Sequence, residues 1–440
     1  MSKVIIYQKL VCLMMLNFCL KLIKLIASHC FSVFRFILRK SLSLSRYFTS
    51  ELLIYIIGFE EISVSNPPRI GHLLLELDCF FKEQVLFRIP KKRYLLFYDS
   101  NINYANPYFF QFLRNKNGIA SVFKEQVSFE LVNVACLNPF IGFLRRHHLL
   151  TSRKLRRRFY SYVNAINETA TCFEIDSSWG SNPSIFVQPD EFFDIRHRFF
   201  NEIGLDHFKP YVLVHAREGG YSPNDEHYHT LRNVDFSSFY LAINALVSLG
   251  LNVIRMGDSS MSPSLTHDGF YDYALSKYKS HKMDFVLGSG AFYFLGTASG
   301  APLLSSIFGI PLAVCNLSLP FSYSPLGSSR NIGIPKLVGC NETDCIVPFA
   351  RVFRERISEW RTPSDFEASS YYLIPNSPEE IRDLAVEMYK RIIGEFIDDE
   401  FDERLQAAFS SYIKPSSYTY GSASRCSSVF MRKYSHLILA

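Results

Sequence analysis

Strand-length apolar runs alternate with helix-length segments between residues 205 and 316, and this rhythm constrains the fold more than any other feature. The run "YVLVHAR" (211–217) is almost continuously apolar, as is typical of a central strand in a parallel sheet that is covered on both faces. Four strands separated by three helices predict a doubly wound α/β domain. The segments are YVLVHAR (211–217), DFSSFYLAINALVSLG (235–250), NVIRMGD (252–258), HKMDFVLGSG (281–290), AFYFLGTASG (291–300), APLLSSIFGIP (301–311) and LAVCN (312–316).

A similar but weaker alternation precedes this region. Two prolines end one segment, and the Arg-Ile-Gly-His turn at 69–72 opens an amphipathic helix. The segment "RYLLFYD" (93–99) reads as a buried strand. We therefore expect two Rossmann-like domains, at residues 60–200 and 205–400, followed by a loosely ordered, Ser/Tyr-rich tail at 415–440.

Two helix starts are marked by residues that commonly cap helices. Asp235 precedes one predicted helix, and a side-chain oxygen at that position can accept from the first free backbone N–H groups. Ser377 is followed three residues later by Glu380, the spacing of a reciprocal capping pair. Both patterns predict where a helix begins.

Ten cysteines are scattered through the 440 residues, without a CxxC pair or a Cys/His spacing suited to zinc. Disulfide frameworks belong mainly to small secreted chains, so we expect reduced core thiols in a cytoplasmic protein. The chain also lacks P-loop, GxGxxG, HExxH and GxSxG motifs, which argues against the enzyme classes that those motifs mark.

The first 50 residues contain eight Lys or Arg side chains and no Asp or Glu. Polar positions recur there at steps of three and four, which places them on one face of a helix that is otherwise apolar. Such a helix suits an anionic membrane surface, so we expect peripheral attachment to the inner face of the cell membrane. A signal peptide, a transmembrane span and a helix docked on the protein's own core are the alternatives. The polar positions are Asn17, Lys21, Lys24, Ser28, Ser32, Arg35 and Arg39.

The formal net charge of +6 originates in this N-terminal segment, because the remainder of the chain is slightly acidic. The charge therefore does not indicate a nucleic-acid partner. A second cationic stretch, "RRHHLLTSRKLRRRF" (145–159), is either a solvated helix face or a contact for a polyanionic acceptor or for lipid phosphates.

Polar side chains cluster where three of the predicted strands end. Ligands of α/β proteins bind beyond the carboxyl ends of parallel strands, so these side chains should meet in one site. Arginine forks suit phosphate oxygens, and a Gly-Thr-Ala-Ser-Gly turn that opens a helix offers backbone N–H groups to an anion. Together they predict a pocket for a diphosphate-linked nucleotide, with Asp258 accepting from the ribose or the base. The residues are His215, Arg217 and Glu218 after the first strand, Arg255, Gly257 and Asp258 after the second, and Thr297, Ser299 and Gly300 after the third.

Several segments resemble, in order, the motifs of a family of bacterial glycosyltransferases from surface-polysaccharide loci. They are "RIGHL", "HAREGGY", "TLRNVDFSSFYLAI", "VIRMGDSSM" and "FYFLGTASGAPLLSSIFGIP", and the resemblance as a whole covers roughly residues 69–340. The resemblance implies transfer of a hexosyl or deoxyhexosyl group from a nucleotide-sugar to a lipid-linked or polysaccharide acceptor in O-antigen or capsule biosynthesis.

More distantly, the His-x-Arg and Phe-x-Gly-Thr-x-Ser patterns are similar to those of GDP-fucose-dependent fucosyltransferases, which have the two-domain GT-B fold. This resemblance implies two Rossmann-like domains with a deep cleft between them. It also implies that Arg217 contacts the donor's β-phosphate and that Thr297 and Ser299 face the donor. The acidic residue that this family places three positions after the arginine is Gly220 here, so the resemblance does not define the donor.

For such an enzyme, the charge on the leaving nucleoside diphosphate would be stabilised by Arg217, Arg255 and the helix N-terminus at 297–300, with no essential metal ion. The loop 222–233 is expected to close over the donor through Arg232 and Asn233.

An inverting transferase also needs a general base, and the sequence leaves four candidates open. Two functions of other classes are the alternatives. One is a polysaccharide pyruvyl transferase or another sugar-phosphate α/β enzyme, and the other is a non-catalytic, membrane-associated scaffold on a degenerate transferase fold. The candidate bases are Glu218, His215, Asp225 and His72.

Overall fold

The computed structural model describes most of the chain from residue 59 onward. The described residues are 59–62, 68–86, 93–98, 100–101, 103–114, 118–127, 129–133, 172–221, 230–317, 327–360, 362–415, 417 and 419–440. The predictions for residues 1–50, for the cationic stretch 145–159 and for most of the loop 222–233 lie outside these ranges.

The N-terminal region is an α/β unit on a three-stranded parallel sheet. The elements are β1 (Phe59–Ile62), α1 (Ile70–Leu86), β2 (Arg93–Tyr98), α2 (Tyr108–Arg114), β3 (Glu130–Asn133), α3 (Cys172–Trp179) and α4 (Asp190–Ile203). The strands pair in the order β1-β2-β3, and Leu73, Leu74 and Phe80 of α1 share a hydrophobic core with Leu96 of β2.

The C-terminal region is built on a seven-stranded parallel sheet, which confirms the predicted α/β class. A small antiparallel sheet, in the order β11-β10-β12, lies beside it. The strands are β4 (Tyr211–His215), β5 (Asn252–Arg255), β6 (Phe270–Asp272), β7 (Tyr293–Thr297), β8 (Leu312–Leu317), β9 (Ile332–Pro335), β10 (Leu337–Cys340), β11 (Cys345–Ile346), β12 (Tyr371–Ile374) and β13 (Arg425–Cys426). The helices are α5 (Tyr240–Ser248), α6 (His281–Gly288), α7 (Leu303–Ser306), α8 (Phe349–Arg354), α9 (Pro363–Glu367), α10 (Pro378–Ile392), α11 (Glu400–Ser411), α12 (Ser428–Lys433) and α13 (Ser435–Ile438).

The strand order creates a topological switch point between β4 and β7. The parallel strands run in the order β6-β5-β4-β7-β8-β9-β13, so the chain moves from β4 outward to β6 and then returns past β4 to β7. In sheets with this strand order the loops that follow the two central strands diverge, and ligands of α/β proteins bind in the crevice between them. His215 of β4 pairs with Gly296 of β7, so the residues just beyond them border this switch-point crevice.

Both faces of the large sheet are covered, because alternate side chains of its strands point to opposite sides. Leu213 and Phe294 belong to a core that also contains Leu73 of α1, whereas Val212 and Leu295 belong to a second core formed with α5 and α10. The N-terminal helix thus shares a hydrophobic core with the C-terminal sheet.

Residues 425–438 are folded, in contrast to the loosely ordered tail expected from their composition. β13 extends the sheet beside β9, and Phe430, Met431 and Ile438 are buried in the second core. The expectation of a loose tail fails because local composition carries no information on contacts with residues far away in the sequence.

Across the described ranges, no helix is both long enough and apolar enough to cross a lipid bilayer.

Candidate functional site

Arg217 lies two residues beyond β4, and its backbone is fixed on both sides. Its N–H donates to Thr297 Oγ1 at 2.8 Å, and its carbonyl oxygen accepts from the Val234 N–H at 2.9 Å. Its Nη1 donates to Asn233 Oδ1. The side chain is half-buried, so a cationic fork is held at the switch-point crevice while part of its surface stays accessible.

Thr297 ends β7 and is fully buried. Its hydroxyl accepts the Arg217 N–H, so it links the ends of the two strands that border the crevice. A side chain without exposed surface cannot reach a ligand in this conformation. The donor contact expected for Thr297 is therefore replaced by a role in fixing the backbone of Arg217.

Both loops at the switch point contact the beginning of α1. A methyl group added at Gly300 would lie 2.7 Å from the backbone nitrogen of Gly71 and 2.6 Å from Ile70 Cγ2, so the two backbones are nearly in contact. On the other side, Tyr221 Oη donates to the Pro68 carbonyl at 3.2 Å. The segment 68–71 thus borders the crevice opposite the sheet.

The turn after β7 differs from the helix N-terminus that the sequence indicated. The helix that follows, α7, is only four residues long, so the electrostatic effect of a helix dipole is small there. Ser299 is half-buried, and its Oγ accepts from the Ala301 N–H at 3.3 Å. The hydroxyl of Ser299 and the backbone N–H groups of the turn are what this turn offers to an anion.

Arg255 does not have the expected contact with the crevice. It is fully buried at the end of β5, where Nη2 donates to Glu218 Oε1 at 2.6 Å and Nη1 donates to Asp272 Oδ2 at 2.8 Å. Nη1 also donates to the Ser262 carbonyl at 2.7 Å, and the guanidinium stacks 4.0 Å from the ring centre of Phe236. Its charge is used to join the ends of β4, β5 and β6, so the structure assigns Arg255 a structural role in place of phosphate binding.

Glu218 and His215, both expected as possible bases, are also occupied. The second carboxylate oxygen of Glu218 accepts from the Ser262 N–H at 2.7 Å, so both of its oxygens are engaged. His215 is buried, its Nδ1 contacts the Met256 carbonyl at 3.1 Å, and burial lowers its pKa to about 4. A base that weak removes protons poorly at neutral pH, which argues against His215. The contacts of both carboxylate oxygens argue against Glu218.

Asp258 and Gly220 lie beside the crevice in the loops after β5 and β4. Asp258 is half-buried, and its Oδ1 accepts from the Ser260 N–H at 2.8 Å, which fixes the carboxylate at the turn. Gly220 has a φ of +125°, where a side chain would also meet Ser260 at 3.2 Å. This backbone explains why no acidic residue replaces Gly220, and it separates the chain from the fucosyltransferase pattern.

His72 forms a pair with Glu76 one turn later in α1. Nδ1 of His72 lies 2.8 Å from Oε1 of Glu76, whose side chain is fully buried, while 18% of the His72 side chain is exposed. A carboxylate in this position orients the ring, as in other bases that are supported by a third group. Because His72 follows Gly71, the pair lies next to the turn at Gly300.

The end of the expected lid contributes directly to the site. Arg232 belongs to a short 3₁₀ turn, Thr230–Arg232, and Asn233 holds Arg217. Asp225 lies outside the described residues. Lys336, which supports this turn through the Leu231 carbonyl, was missed, because a single lysine after a strand matches no motif.

A cavity of about 550 Å³ lies elsewhere, against Tyr108, Phe112, Lys124 and the start of α4, and none of the switch-point residues lines it. In the part of the chain that the structure describes, no three His, Cys, Asp or Glu side chains are grouped in a way that could hold a metal ion.

Comparison with known proteins finds similarity in solved structures only. No family model matches the chain, and no curated protein matches it. A glycosyl transferase of family 9 from Veillonella parvula DSM 2008 is 11% identical with a TM-score of 0.42, covering 77% of this chain and 98% of that one. The E. coli ADP-heptose LPS heptosyltransferase II is 11% identical with a TM-score of 0.38, covering 63% of this chain and 90% of that one.

The E. coli heptosyltransferase WaaC, solved with ADP, is also similar. It is 10% identical with a TM-score of 0.26, covering 63% of this chain and 90% of that one. None of these three structures is a fucosyltransferase. Such values describe a remote likeness, so the case for a function comes from the residues of this chain.

Proposed function

We propose that this protein is a glycosyltransferase that transfers a sugar from a nucleotide-sugar to an acceptor hydroxyl of a cell-surface glycan. The observation that carries the proposal is Arg217, a half-exposed guanidinium fixed by Thr297 and Asn233 at the switch point of a parallel sheet. A preorganised cation there suits a nucleoside diphosphate, because developing negative charge is stabilised best by groups that need not move.

In the reaction, the bond between the anomeric carbon and the β-phosphate oxygen breaks, and its electron pair leaves with the diphosphate. A new bond forms from the acceptor oxygen to the anomeric carbon, and the acceptor's proton passes to a base. Arg217 stabilises the charge on the departing diphosphate. The Ser299 hydroxyl and the neighbouring backbone N–H groups add hydrogen bonds, and Asp258 accepts from the ribose or the base.

For an inverting transfer, we place the base at His72. Glu218 and His215 are engaged in other contacts, whereas the ring of His72 is oriented by buried Glu76 beside the switch-point turn. Histidine is the side chain that serves most often as a general base, so His72 is suited to take up the acceptor proton. In this scheme His72 takes the proton from the acceptor, while Arg217 binds the diphosphate of the donor, so the two steps use different residues.

We further propose a lipid-linked acceptor and a peripheral position on the cytoplasmic face of the membrane. The support is the basic, acid-free segment 1–50, which suits an anionic lipid surface. Sedimentation of the full chain with anionic and with neutral vesicles tests this. Binding to neutral vesicles alone, or to neither kind, contradicts it.

The donor site is tested by nucleotide binding to the purified full chain. We expect one of ADP, GDP, UDP, CDP or dTDP, added at 100 times its Kd, to stabilise the protein by about 2.7 kcal/mol, with or without EDTA. Arg217→Ala should abolish this shift. Arg382→Ala is the matched control, since Arg382 is an exposed arginine paired with its neighbour Asp383 on α10.

The outcomes separate the functional classes. A shift that survives in Arg217→Ala means that the nucleotide does not bind through this arginine. The absence of a shift with every nucleotide contradicts nucleotide-sugar transfer, and it favours the pyruvyl-transferase or scaffold alternatives.

A further inference from the structure

Lys336 is a buried cation that has no acidic partner among the described residues. It directly follows β9, only 4% of its surface is exposed, and its Nζ donates to the Leu231 carbonyl at 2.9 Å. Among the described residues, no carboxylate lies within ion-pair distance of Nζ, and Cys315 is the titratable group that faces it. Burying an ammonium group against one neutral carbonyl is unfavourable, so a folding role alone would be served better by an apolar side chain.

The backbone at Lys336 is fixed by hydrogen bonds at the carboxyl edge of the sheet. Its backbone N–H donates to the Leu317 carbonyl at 3.1 Å, which continues the pairing of β8 with β9. The preceding carbonyl, that of Pro335, accepts from Asn376 Nδ2 at 2.8 Å. The ammonium group therefore extends from a fixed point on the same edge of the sheet that carries Arg217.

A short chain of contacts leads from Lys336 to Arg217. Leu231 lies in the Thr230–Arg232 turn, which is closed by the Asn233 N–H donating to the Thr230 carbonyl at 2.9 Å. Asn233 then accepts from the Arg217 side chain, and the Val234 N–H donates to the Arg217 carbonyl. The segment 230–234 thus joins the lysine to the arginine, although the two are far apart in sequence.

We propose that Lys336 is a positioning residue of the donor site, which fixes the 230–234 turn so that Asn233 holds Arg217 toward the leaving diphosphate. This inference rests on the proposed function of the Arg217 site. Lys336 acts through its hydrogen bond to the Leu231 carbonyl.

Two variants separate the hydrogen bond from the charge. Lys336→Met removes both, whereas Lys336→Gln keeps an N–H donor without the charge. Lys282→Met is the matched control, because Lys282 is a surface lysine with 42% of its side chain exposed. In the full chain, amide hydrogen exchange of the peptide covering 230–236 is measured first, without nucleotide.

We expect faster exchange at 230–236 in Lys336→Met and near-parent exchange in Lys336→Gln and Lys282→Met. Unchanged exchange in Lys336→Met overturns the proposal, whether or not any nucleotide binds. This readout is independent of the proposed function, which fails separately if the parent binds no nucleoside diphosphate.

Binding then tests the connection to Arg217. For the nucleoside diphosphate that stabilises the parent, Lys336→Met should weaken binding about tenfold. This is the effect expected from the loss of one hydrogen bond that orients the site. In the Asn233→Ala background the same substitution should cause no further loss, since its effect passes through the contact between Asn233 and Arg217. An equal, additive loss in that background overturns the positioning role.

Discussion

Two arginines at the ends of neighbouring strands follow equally apolar runs, yet they have different physical roles. Arg217 is half-exposed and donates to the neutral amide of Asn233, whereas Arg255 is fully buried between Glu218 and Asp272. The difference arises because β5 lies between β4 and β6, and a carboxylate follows or ends each of those strands. Only the lateral order of the strands reveals this, so the pattern along the chain predicted the same role for both.

Arg255→Met should therefore destabilise the fold, because it leaves the half-buried carboxylates of Glu218 and Asp272 without their fully buried cation. Removing one partner of a buried ion pair typically costs about 3–5 kcal/mol. Urea unfolding followed by circular dichroism measures the loss. Arg217→Met, at the half-exposed position, should stay within about 1 kcal/mol of the parent. If Arg255→Met keeps parental stability and loses only nucleotide binding, Arg255 is a ligand-binding residue after all.

Lys336 should leave a signature in the pH dependence of stability. Burial lowers its pKa from 10.5 to about 8, so between these values the unfolded chain binds a proton that the folded chain has released. The free energy of unfolding should therefore rise as the pH increases from about 8 to 10.5, by up to about 3 kcal/mol from this group.

The comparison with Lys336→Met isolates that contribution, because other groups that titrate in the same range are present in both proteins. The stability difference between parent and variant should shift in favour of the parent as the pH rises through this range. A difference that is constant from pH 7 to pH 10.5 would show that the lysine has an ordinary pKa.

At the scale of elements, local signals predicted the helix starts well. Ser377 and Glu380 form the reciprocal cap of α10, with Ser377 Oγ accepting the Glu380 N–H at 3.3 Å and Glu380 Oε2 accepting the Ser377 N–H at 3.0 Å. Asp235 also caps as expected, although the segment it caps begins as the 3₁₀ turn Phe236–Phe239 before α5. Capping depends on residues that are close in the sequence, so the amino-acid sequence alone is enough to predict it.

The contact between α1 and the turn after β7 is long-range, unlike the helix caps, because it joins residues more than 200 positions apart. Gly300→Ala should disturb it, since the new methyl group would lie 2.7 Å from the Gly71 nitrogen. Overpacking of this kind typically costs about 1–3 kcal/mol. We expect a lower Tm and faster amide exchange at the start of α1.

The opposing glycine supplies the control. A methyl group on Gly71 would meet its nearest neighbours at 3.4 Å and 3.6 Å, which is ordinary contact, and alanine is favoured over glycine within a helix. Gly71→Ala should therefore be neutral or slightly stabilising. Equal destabilisation by both substitutions would mean that flexibility of the two backbones, and not their close approach, is what the glycines provide.

At the scale of the whole molecule, the α/β class follows from periodicity, but the site depends on strand order. The sequence places β4, β5 and β7 correctly as strands, while the switch point exists only because β7 pairs with β4 and not with β6. The same holds for the Lys336–Leu231 contact, whose partners are separated by 105 positions. Residue types and local spacing therefore make Arg217 a candidate site residue, and long-range pairing decides which neighbours contact it.

The edge strand β13 tests how much the stability of the sheet depends on such long-range pairing. β13 covers the edge of β9, and the helices that follow bury Met431 and Ile438 fully, so deletion of residues 425–440 should expose an unpaired strand edge beside an open apolar core. Exposed edges of that kind promote association between chains. We expect the truncated protein to elute as soluble aggregates on size exclusion and to unfold at a much lower temperature than the parent. Leu439→Ser, at a position that is 49% exposed, should behave like the parent. A truncated protein that keeps the parent's elution volume and Tm would show that the core closes before β13 and does not need the C-terminal segment.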